Sequence, residues 1–434
     1  MRMQLKKLFT LLLLVGISVT GFAQTDKNSI DDKQEDSRKK VKTDKAPEDF
    51  KTTEVNFLLN YYEQDGDHSP VTGGRGTEEL DNIAPSFVVH IPMDSLSSLD
   101  LNFGIDIYSS ASTDNIDFFE AADNKSSASG MDARAHINAS YSRKLAKSGN
   151  DYSFMAGFSQ EYDVSSFNFG GSYTLNSKDQ NRSLTIDGLF MNDTWNLLYP
   201  VEIRDNIAKK TITDDTRTTV KFGLSYSQVI NKRLQALFSA EVVSQRGLLS
   251  TPFHRVFFDD ANIGDSNAIL RNLSHVERLD DSRIKIPVSM RFNYYLSDFI
   301  RVKTFYRFYT DSWGISAHTA SLELPMMVSP SFIVSPFVRY HTQTAADDFY
   351  DFGQASASNT PEFYTSDYDL SDLNSVKIGV GLQYSPVMGV SNFKSPFRKN
   401  KTAQLKSIGL RTAYYDRSDG LNAWMVSLDF GFTF

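Results

Sequence analysis

From Glu54 onward, apolar and polar residues alternate in segments of about ten residues that turn-forming residues separate. The clearest segment, 99–107, places leucine, phenylalanine or isoleucine at every second position. Because successive side chains of a β-strand point to opposite faces, this period of two predicts strands with one apolar and one polar face. The chain is therefore predicted to be all-β.

Sixteen segments carry this pattern. They lie near 54–62, 86–92, 98–109, 132–145, 152–163, 166–176, 183–194, 216–230, 234–246, 283–296, 300–311, 315–327, 332–343, 374–385, 403–415 and 421–434. Segments 315–327 and 403–415 alternate poorly, and Pro287 and Pro336 each remove a ladder hydrogen bond. We expect about sixteen antiparallel strands, an even number that places both chain ends on one side of the membrane.

The lengths of the connections distinguish a soluble sandwich from a transmembrane barrel. Short connections lie near 92–98, 146–151, 177–182, 231–233, 297–299 and 328–331, and long ones near 63–85, 109–131, 195–215, 247–283 and 343–373. Short periplasmic turns and long extracellular loops are typical of outer-membrane barrels. Residues 54–434 are therefore predicted to form one transmembrane, antiparallel, up-and-down β-barrel, in which 386–402 is unusually long for a periplasmic turn.

The last strand has an aromatic or aliphatic residue at every second position from Trp424 to the C-terminal phenylalanine. Its aromatic positions are Trp424, Phe430, Phe432 and Phe434. A strand that ends in this way resembles the insertion signal that the outer-membrane assembly machinery recognises. We therefore expect the barrel-assembly machinery and the outer-membrane bilayer as partners.

The N-terminal 53 residues have a different composition from the rest of the chain. Residues 1–23 have basic residues, then an apolar stretch, then Gly21-Phe22-Ala23, which predicts a cleaved signal peptide. A membrane anchor is the alternative, but the apolar stretch is short. Residues 24–53 are rich in mixed charge and predict a disordered periplasmic leader. The leader would otherwise fold on a partner or enter the lumen.

Composition excludes several classes of function. The chain has 45 basic and 53 acidic residues, a net charge of −8, and no cysteine. The acidic balance argues against nucleic acid as a partner, and the absence of cysteine excludes thiol catalysis, disulfides and thiolate metal sites. No cofactor is predicted. No long apolar run follows the N-terminus, which excludes a polytopic helical membrane protein.

Alternation also predicts which charged side chains line the lumen. The predicted acids are Glu54, Asp100, Asp106, Glu161 and Asp187, and the predicted bases are Arg217, Lys221, Lys285, Arg291, Arg301, Lys303, Arg307, Arg339, Lys377 and Arg411. Sequence order follows the wall, so an acidic side would face a basic side and create a field across the pore. The basic cluster Arg301, Lys303 and Arg307, opposite Lys285 and Arg291, would favour anionic solutes. Alternatively, these charges pair between neighbouring strands.

Other clusters of polar residues give weaker signals. Loop 63–85 is rich in carboxylates, but it matches neither a calcium-binding EF-hand nor a phosphate loop. The loops near 259–260, 347–351 and 367–372 are also acidic, and would bridge lipid phosphates through cations or stay solvated. Ser316 and His318 lie two apart on one strand, but no hydrolase motif surrounds them. We predict no metal site and no enzyme.

Seven long stretches identify a family resemblance. They read YYEQDGDHSPVTGGRGTEEL, FGIDIYSSASTDNID, SYSQVINKRLQA, GLLSTPFHRVFF, YRFYTDSWGISAHT, RYHTQTAADDFYDF and YTSDYDLSDLNS. Over 54–390 the chain resembles an uncharacterised Gram-negative outer-membrane barrel family, domain of unknown function 3570. The resemblance implies an outer-membrane location and, through neighbouring genes for lipoprotein-like, thioredoxin-like and flavin-transferase proteins, an extracytoplasmic redox setting. It implies no functional residues.

Two functions follow as hypotheses. The first is a porin-like channel for small polar or charged solutes, because a sixteen-stranded barrel is wide enough to hold water. The second is a non-conducting scaffold that docks periplasmic or surface proteins through the leader and 386–402. Inward folding of loops 247–283 and 343–373 that leaves a narrow charged gap favours the channel, whereas a complete plug favours the scaffold.

Overall fold

The computed structural model describes residues 52–110, 131–200, 214–260, 273–395 and 402–434. The predicted signal peptide 1–23 lies outside these residues, as does the predicted leader up to residue 51. Within the described parts of the chain, no helix has the length and apolar character needed to cross a membrane.

The described residues form twenty strands, β1 to β20, and two short 3-10 turns. The strands are β1 Glu54–Asp65, β2 Leu80–Pro92, β3 Ser97–Ser110, β4 Met131–Lys144, β5 Asp151–Gln160, β6 Val164–Asn176, β7 Arg182–Asn196, β8 Asp214–Asn231, β9 Leu234–Gly247, β10 Arg255–Phe257, β11 Ser274–Val276, β12 Ser282–Tyr295, β13 Arg301–Asp311, β14 Ser316–Glu323, β15 Met326–Ser329, β16 Phe332–Gln343, β17 Leu373–Tyr384, β18 Ser391–Lys394, β19 Thr402–Arg417 and β20 Asn422–Thr433. The 3-10 turns are Pro70–Thr72 and Tyr368–Leu370.

Eighteen of these strands form one antiparallel sheet that closes on itself, because β20 pairs with β1. Strands β14 and β15 both pair with β16, so together they occupy one position in the wall. Strands β17 and β18 both pair with β19 and likewise share one position. The wall therefore has sixteen positions, as predicted. Strands β10 and β11 pair only with each other, in an outer loop.

Prolines account for the gaps in the wall. The β2–β3 ladder skips Pro85, and the β9–β12 ladder skips Pro287. Strands β14 and β15 are separated at Leu324 and Pro325, opposite Pro336. Proline has no backbone N–H to donate to its neighbour, which explains each gap. The register is the same on both sides of each gap, so the wall continues past it.

Two predicted features of the connections are wrong. Residues 386–402 are not a single periplasmic turn, because 391–394 return to the wall as β18 and pair with the start of β19. The alternation of short and long connections is also incomplete. The outer connections 161–163, 312–315 and 418–421 are as short as the periplasmic turns.

The outer surface of the wall is apolar. Phe154 is 64% exposed and Phe222 57% exposed, and neighbouring strands present similar side chains at every second position. Large apolar side chains in water would be unfavourable, whereas in lipid they are in their preferred solvent. The protein is a transmembrane β-barrel with its polar faces turned inward.

The C-terminal strand lies at the seam of the barrel. Trp424 faces outward and packs on Tyr414, with ring centroids 5.0 Å apart. Phe430 stacks on a phenylalanine of β1, and Phe432 and Phe434 both contact Phe393. The alternating aromatic face therefore exists as predicted, while its recognition by the assembly machinery stays a prediction.

Three outer loops pack together into a compact unit, which we call the cap: the described parts of 66–79, 248–281 and 344–372. Val256, Phe258 and Ala355 form its core and are at most 1% exposed. The ring of Phe257 lies so close to Gly73, a residue with φ of 73°, that a Cβ there would be 2.5 Å from it. The cap therefore buries apolar side chains, unlike the wall.

Candidate functional site

A cavity of about 550 Å³ lies between the inner wall and the cap. Most of its lining comes from inward-facing residues of β12 to β20, and Asp369 and Leu370 of the cap complete it. The wall residues that line it are Arg283, Arg307, Tyr309, Ala317, Arg339, His341, Gln343, Ser375, Lys377, Tyr415 and Met425. The cavity is therefore strongly basic.

Strand register brings the basic side chains together. Arg339 on β16 lies directly opposite Lys377 on β17. Arg307 on β13 is separated from His341 on β16 by one residue, Thr319 of β14. Directly opposite residues of antiparallel strands have Cβ atoms about 4.5–5.5 Å apart, so these groups share one patch of the inner wall.

Three cations of this patch, Arg307, Arg339 and Lys377, have no counter-ion among the described residues. Among the described residues, no carboxylate lies within 4.0 Å of the charged groups of Arg307, Arg339 or Lys377. The Nε of Arg307 is buried and has no hydrogen-bond partner among the residues that the structure describes. Like charges this close repel, and the repulsion falls when an anion lies between them.

Several other predicted lumen charges are paired with neighbouring strands instead. Asp187 and Lys221 are 3.0 Å apart. Glu323 accepts from both Lys303, at 3.2 Å, and Arg411, at 3.0 Å. These contacts fit the alternative hypothesis, in which lumen charges stabilise the wall.

The remaining acids and Arg217 show the same behaviour. Asp100 lies 2.6 Å from His90, and Asp106 lies 3.8 Å from His136. Glu54 pairs with Lys406 at 3.5 Å, and Arg217 with Asp193 at 2.8 Å. A continuous acidic wall facing a continuous basic wall is therefore not what the structure shows.

Three further predicted lumen bases have no carboxylate of their own in the described parts of the chain: two lie beside aromatic rings, and the third lies opposite an acid that another arginine binds. Arg291 lies 5.6 Å from the ring of Phe305, and Arg301 lies 5.2 Å from the ring of Tyr295. Lys285 is opposite Asp311 in the register, but that carboxylate is bound by Arg283. These bases add to the positive potential of the basic half of the lumen.

Glu161 is not on the wall, contrary to prediction. Strand β5 ends at Gln160, and Glu161 lies in the outer turn that leads to β6. Burial, followed by the nearby charges of Asp163 and Asp106, raises its pKa to about 7. The strand predicted over 152–163 runs three residues past the end of β5, because the outer turn 161–163 was not expected there.

Sequence alternation missed two basic residues of the cavity, Arg283 and His341. Both lie two positions from a predicted lumen base, Lys285 or Arg339, so the same pattern would have found them. Asp369 and Leu370 had no such signal, because a loop residue has no fixed face. Their position depends on how the cap packs.

Arg417 fastens the cap to the wall at the edge of the cavity. It donates to the carboxylate of Asp369 at 2.5 Å, to the backbone oxygen of Tyr368 at 3.0 Å, and to Asp419. Its side chain is 7% exposed. Nearby, burial and then the charge of Asp369 raise the pKa of Glu78 to about 7. At this junction of cap and wall, three acids, Asp369, Asp419 and Glu78, therefore lie around Arg417.

The other candidate groups take structural roles. His68 of loop 63–85 stacks on Tyr368 with centroids 3.8 Å apart, and its Nδ1 lies 2.9 Å from the oxygen of Gly74. His318 faces outward and its Nδ1 lies 2.7 Å from the hydroxyl of Tyr306. Neither histidine is placed in a hydrolytic constellation with Ser316.

Comparison with solved structures finds other barrels at low identity. OccK1 (OpdK) of Pseudomonas aeruginosa is 8% identical, with a TM-score of 0.37, over 88% of this chain and 98% of that one. A bacterial polysaccharide outer membrane secretin is 10% identical, with a TM-score of 0.42, over 88% and 98%. The ferric enterobactin receptor PfeA of Pseudomonas aeruginosa is 11% identical, with a TM-score of 0.41, over 83% and 53%.

Sequence comparison identifies the family. No curated protein matches the chain. The model of one protein family matches residues 9–420, nearly the whole chain. The chain belongs to that family, which is described as protein of unknown function, DUF3570.

Proposed function

We propose that the protein is an outer-membrane channel for small anionic solutes. The observation that carries this proposal is the patch of Arg307, Arg339 and Lys377 without counter-ions in the described structure. Elsewhere in the lumen, many charges are paired between strands, such as Asp187 with Lys221 and Glu323 with Lys303 and Arg411. Arg307, Arg339 and Lys377 line the same cavity, and a bound anion would reduce the repulsion between their charges.

The size of the cavity supports a small solute. Its volume of about 550 Å³ lies in the range of about 300–1,000 Å³ that is usual for small-molecule sites. Arg and Lys contribute differently: a guanidinium matches a carboxylate or phosphate with two parallel hydrogen bonds, and an ammonium acts as a point charge. Tyr309 and Tyr415 add hydroxyl groups to the same lining.

The cap narrows the outer entrance of this pathway. Asp369 and Leu370 line the cavity, and Gln343 donates from its side chain to the backbone oxygens of Asp369, at 3.0 Å, and Ser371, at 2.8 Å. Of the two long loops that would distinguish a channel from a plug, 344–372 contributes Asp369 and Leu370 to the lining of a charged cavity, which supports the channel.

Single-channel recording tests the proposal. We expect the purified, folded protein to give discrete conductance steps in a planar bilayer, with a reversal potential of the sign that marks anion preference. Lys377→Gln should reduce that preference. Lys406→Gln removes the same charge from the exposed pair with Glu54 and serves as the matched control.

Two results would contradict the proposal. A folded sample that stays electrically silent shows that the barrel does not conduct. A cation preference, or equal effects of the two lysine variants, shows that the basic patch does not select the solute. Heat-modifiable migration of the barrel on gels confirms folding in each case.

A non-conducting scaffold is the second candidate, and one observation favours it. Val387 and Met388 lie in the short excursion between β17 and β18 and are 89% and 81% exposed. Exposed apolar residues of this kind at a periplasmic end are suited to a protein partner. Crosslinking from position 388 in cells that produce the protein would capture such a partner if the scaffold role is correct.

A further inference from the structure

Three side chains from two loops of the cap converge on one point. His254 Nδ1 lies 3.7 Å from Glu277 Oε1 and 3.9 Å from Asp367 Oδ2. All three atoms lie within 4.8 Å of one another. Atoms bound to one divalent cation, at bond lengths of about 2.0–2.5 Å, are typically about 3–5 Å apart. The three atoms thus already have the separations of a set of metal ligands.

The fold of the cap brings these residues together. His254 precedes β10 and Glu277 follows β11, and the backbone N–H of Glu277 donates to the oxygen of His254 at 3.0 Å. Arg278 and Tyr364 then exchange backbone hydrogen bonds, at 3.0 and 2.6 Å. This bridge lays loop 344–372 beside the hairpin and places Asp367 at the open side of the pair.

Hydrogen bonds orient both carboxylates. Glu277 accepts at Oε2 from the backbone N–H of Thr251, at 2.6 Å, and at Oε1 from the hydroxyl of Thr365, at 2.5 Å. Asp367 accepts at Oδ1 from the backbone N–H of Asp369, at 2.9 Å, so its Oδ2 points to the cluster. Outer partners that orient ligands in this way are characteristic of built metal sites.

The cluster is shielded from bulk water. The side chain of Glu277 is 2% exposed, that of His254 16%, and that of Asp367 24%. Two carboxylates and one imidazole converge here, so the three side chains alone leave negative charge that a cation would balance.

We propose that His254, Glu277 and Asp367 bind one divalent transition-metal ion of the zinc class. One imidazole with two carboxylates is a donor set that suits Zn²⁺, because imidazole favours transition metals over Ca²⁺ and Mg²⁺. The ion fastens loop 248–281 to loop 344–372 and holds the cap closed. This proposal is independent of whether the barrel conducts.

Zinc titration of the folded, full-chain protein tests this site. After removal of metal with a chelator, isothermal titration calorimetry with zinc chloride should show one ion bound per chain. His254→Gln and Asp367→Asn should each weaken binding by at least tenfold, since each removes a ligand. Bound zinc should also slow proteolysis within the cap of the wild-type protein.

His275→Gln is the matched control. His275 belongs to the same loop but stacks on Phe258, with centroids 4.4 Å apart, and is not part of the cluster. The His275→Gln variant should bind zinc with the same affinity as the wild type. Equal zinc binding by all variants, or no zinc binding by the wild type, would overturn the proposal.

X-ray absorption of the zinc-loaded wild type keeps the test decisive if a ligand variant fails to fold. A coordination shell with one imidazole and oxygen ligands supports the site. A shell of oxygen alone overturns it, as does displacement of zinc by a similar concentration of calcium, because either result describes a surface carboxylate site.

Discussion

The wall and the cap place their apolar side chains in opposite directions. Phe154 and Phe222 of the wall are 64% and 57% exposed, whereas Val256 and Phe258 of the cap are fully buried. The wall faces lipid, so its apolar groups need no protein cover, whereas the cap projects into water and must bury its own. Residue type alone does not tell which solvent a segment meets.

The two regions also differ in how contacts are made. Wall contacts join residues on adjacent strands, at positions that the register dictates, such as Asp187 with Lys221. Cap contacts join distant parts of the chain: Arg255 donates to the backbone oxygen of Val71, 184 residues away, at 2.7 Å. The wall is therefore a repetition of one local rule, and the cap depends on long-range packing.

Removal of an aromatic ring should give the largest difference in stability loss between the cap and the wall. Phe258→Ala leaves a cavity in the cap core and should cost about 3–5 kcal/mol of local stability. Phe154→Ala should cost much less, because lipid chains fill the space that the ring leaves. Native-state proteolysis of the outer loops measures the first effect, and heat-modifiable migration of the barrel measures the second.

That comparison fails if both variants change protease sensitivity by the same amount. It also fails if Phe258→Ala unfolds the whole barrel, since the cap core would then belong to the wall.

Introduction of a charge on the lipid-facing surface should cause the next largest loss of stability. Phe222 lies in the middle of β8, between outward-facing Val220 and Leu224. Phe222→Arg places a cation in hydrocarbon and should destabilise the barrel by about 2–4 kcal/mol. Urea unfolding in lipid vesicles measures this loss, with Phe222→Leu as the apolar control. An arginine variant as stable as the control would mean that this face is not in lipid.

The pH dependence of the cap should be the smallest effect. The pKa of Glu78 is raised from 4.5 to about 7, because the carboxyl is buried and lies near Asp369. The folded cap therefore holds this proton more tightly than the unfolded loop does. The charged form opposes folding, so the cap should lose stability as the pH rises from about 4.5 to about 7 and change little above that range.

Proteolysis of the cap at about pH 5 and about pH 8 measures this loss, with a protease that is active at both. Glu78→Gln should reduce the difference, because the amide cannot ionise. A cap that becomes more resistant as the pH rises would contradict the assignment.

Much of the wall was predictable from local patterns. Alternation placed sixteen strands near their observed positions, and the poorly alternating segment 315–327 is where Leu324 and Pro325 interrupt the wall. The same alternation assigned Arg307, Arg339 and Lys377 to the lumen. It failed at Glu161, because a strand pattern does not show where a strand gives way to a turn.

The candidate sites were predictable only in part. Which lumen charges are paired follows from register between strands, and register depends on turn lengths around the whole barrel. The convergence of His254, Glu277 and Asp367 had no signal in the sequence, since the three residues span more than a hundred positions and none lies in a known ligand spacing.

The sequence by itself determined the membrane-spanning class, the number of strand positions in the wall and the face on which most strand residues lie. A period of two is a local property, because each side chain's direction follows from that of its neighbour. Tertiary structure alone decided which cations remain without a counter-ion and how the outer loops assemble over them. Those features depend on distances between residues far apart in the chain, which only closure of the barrel and packing of the cap establish.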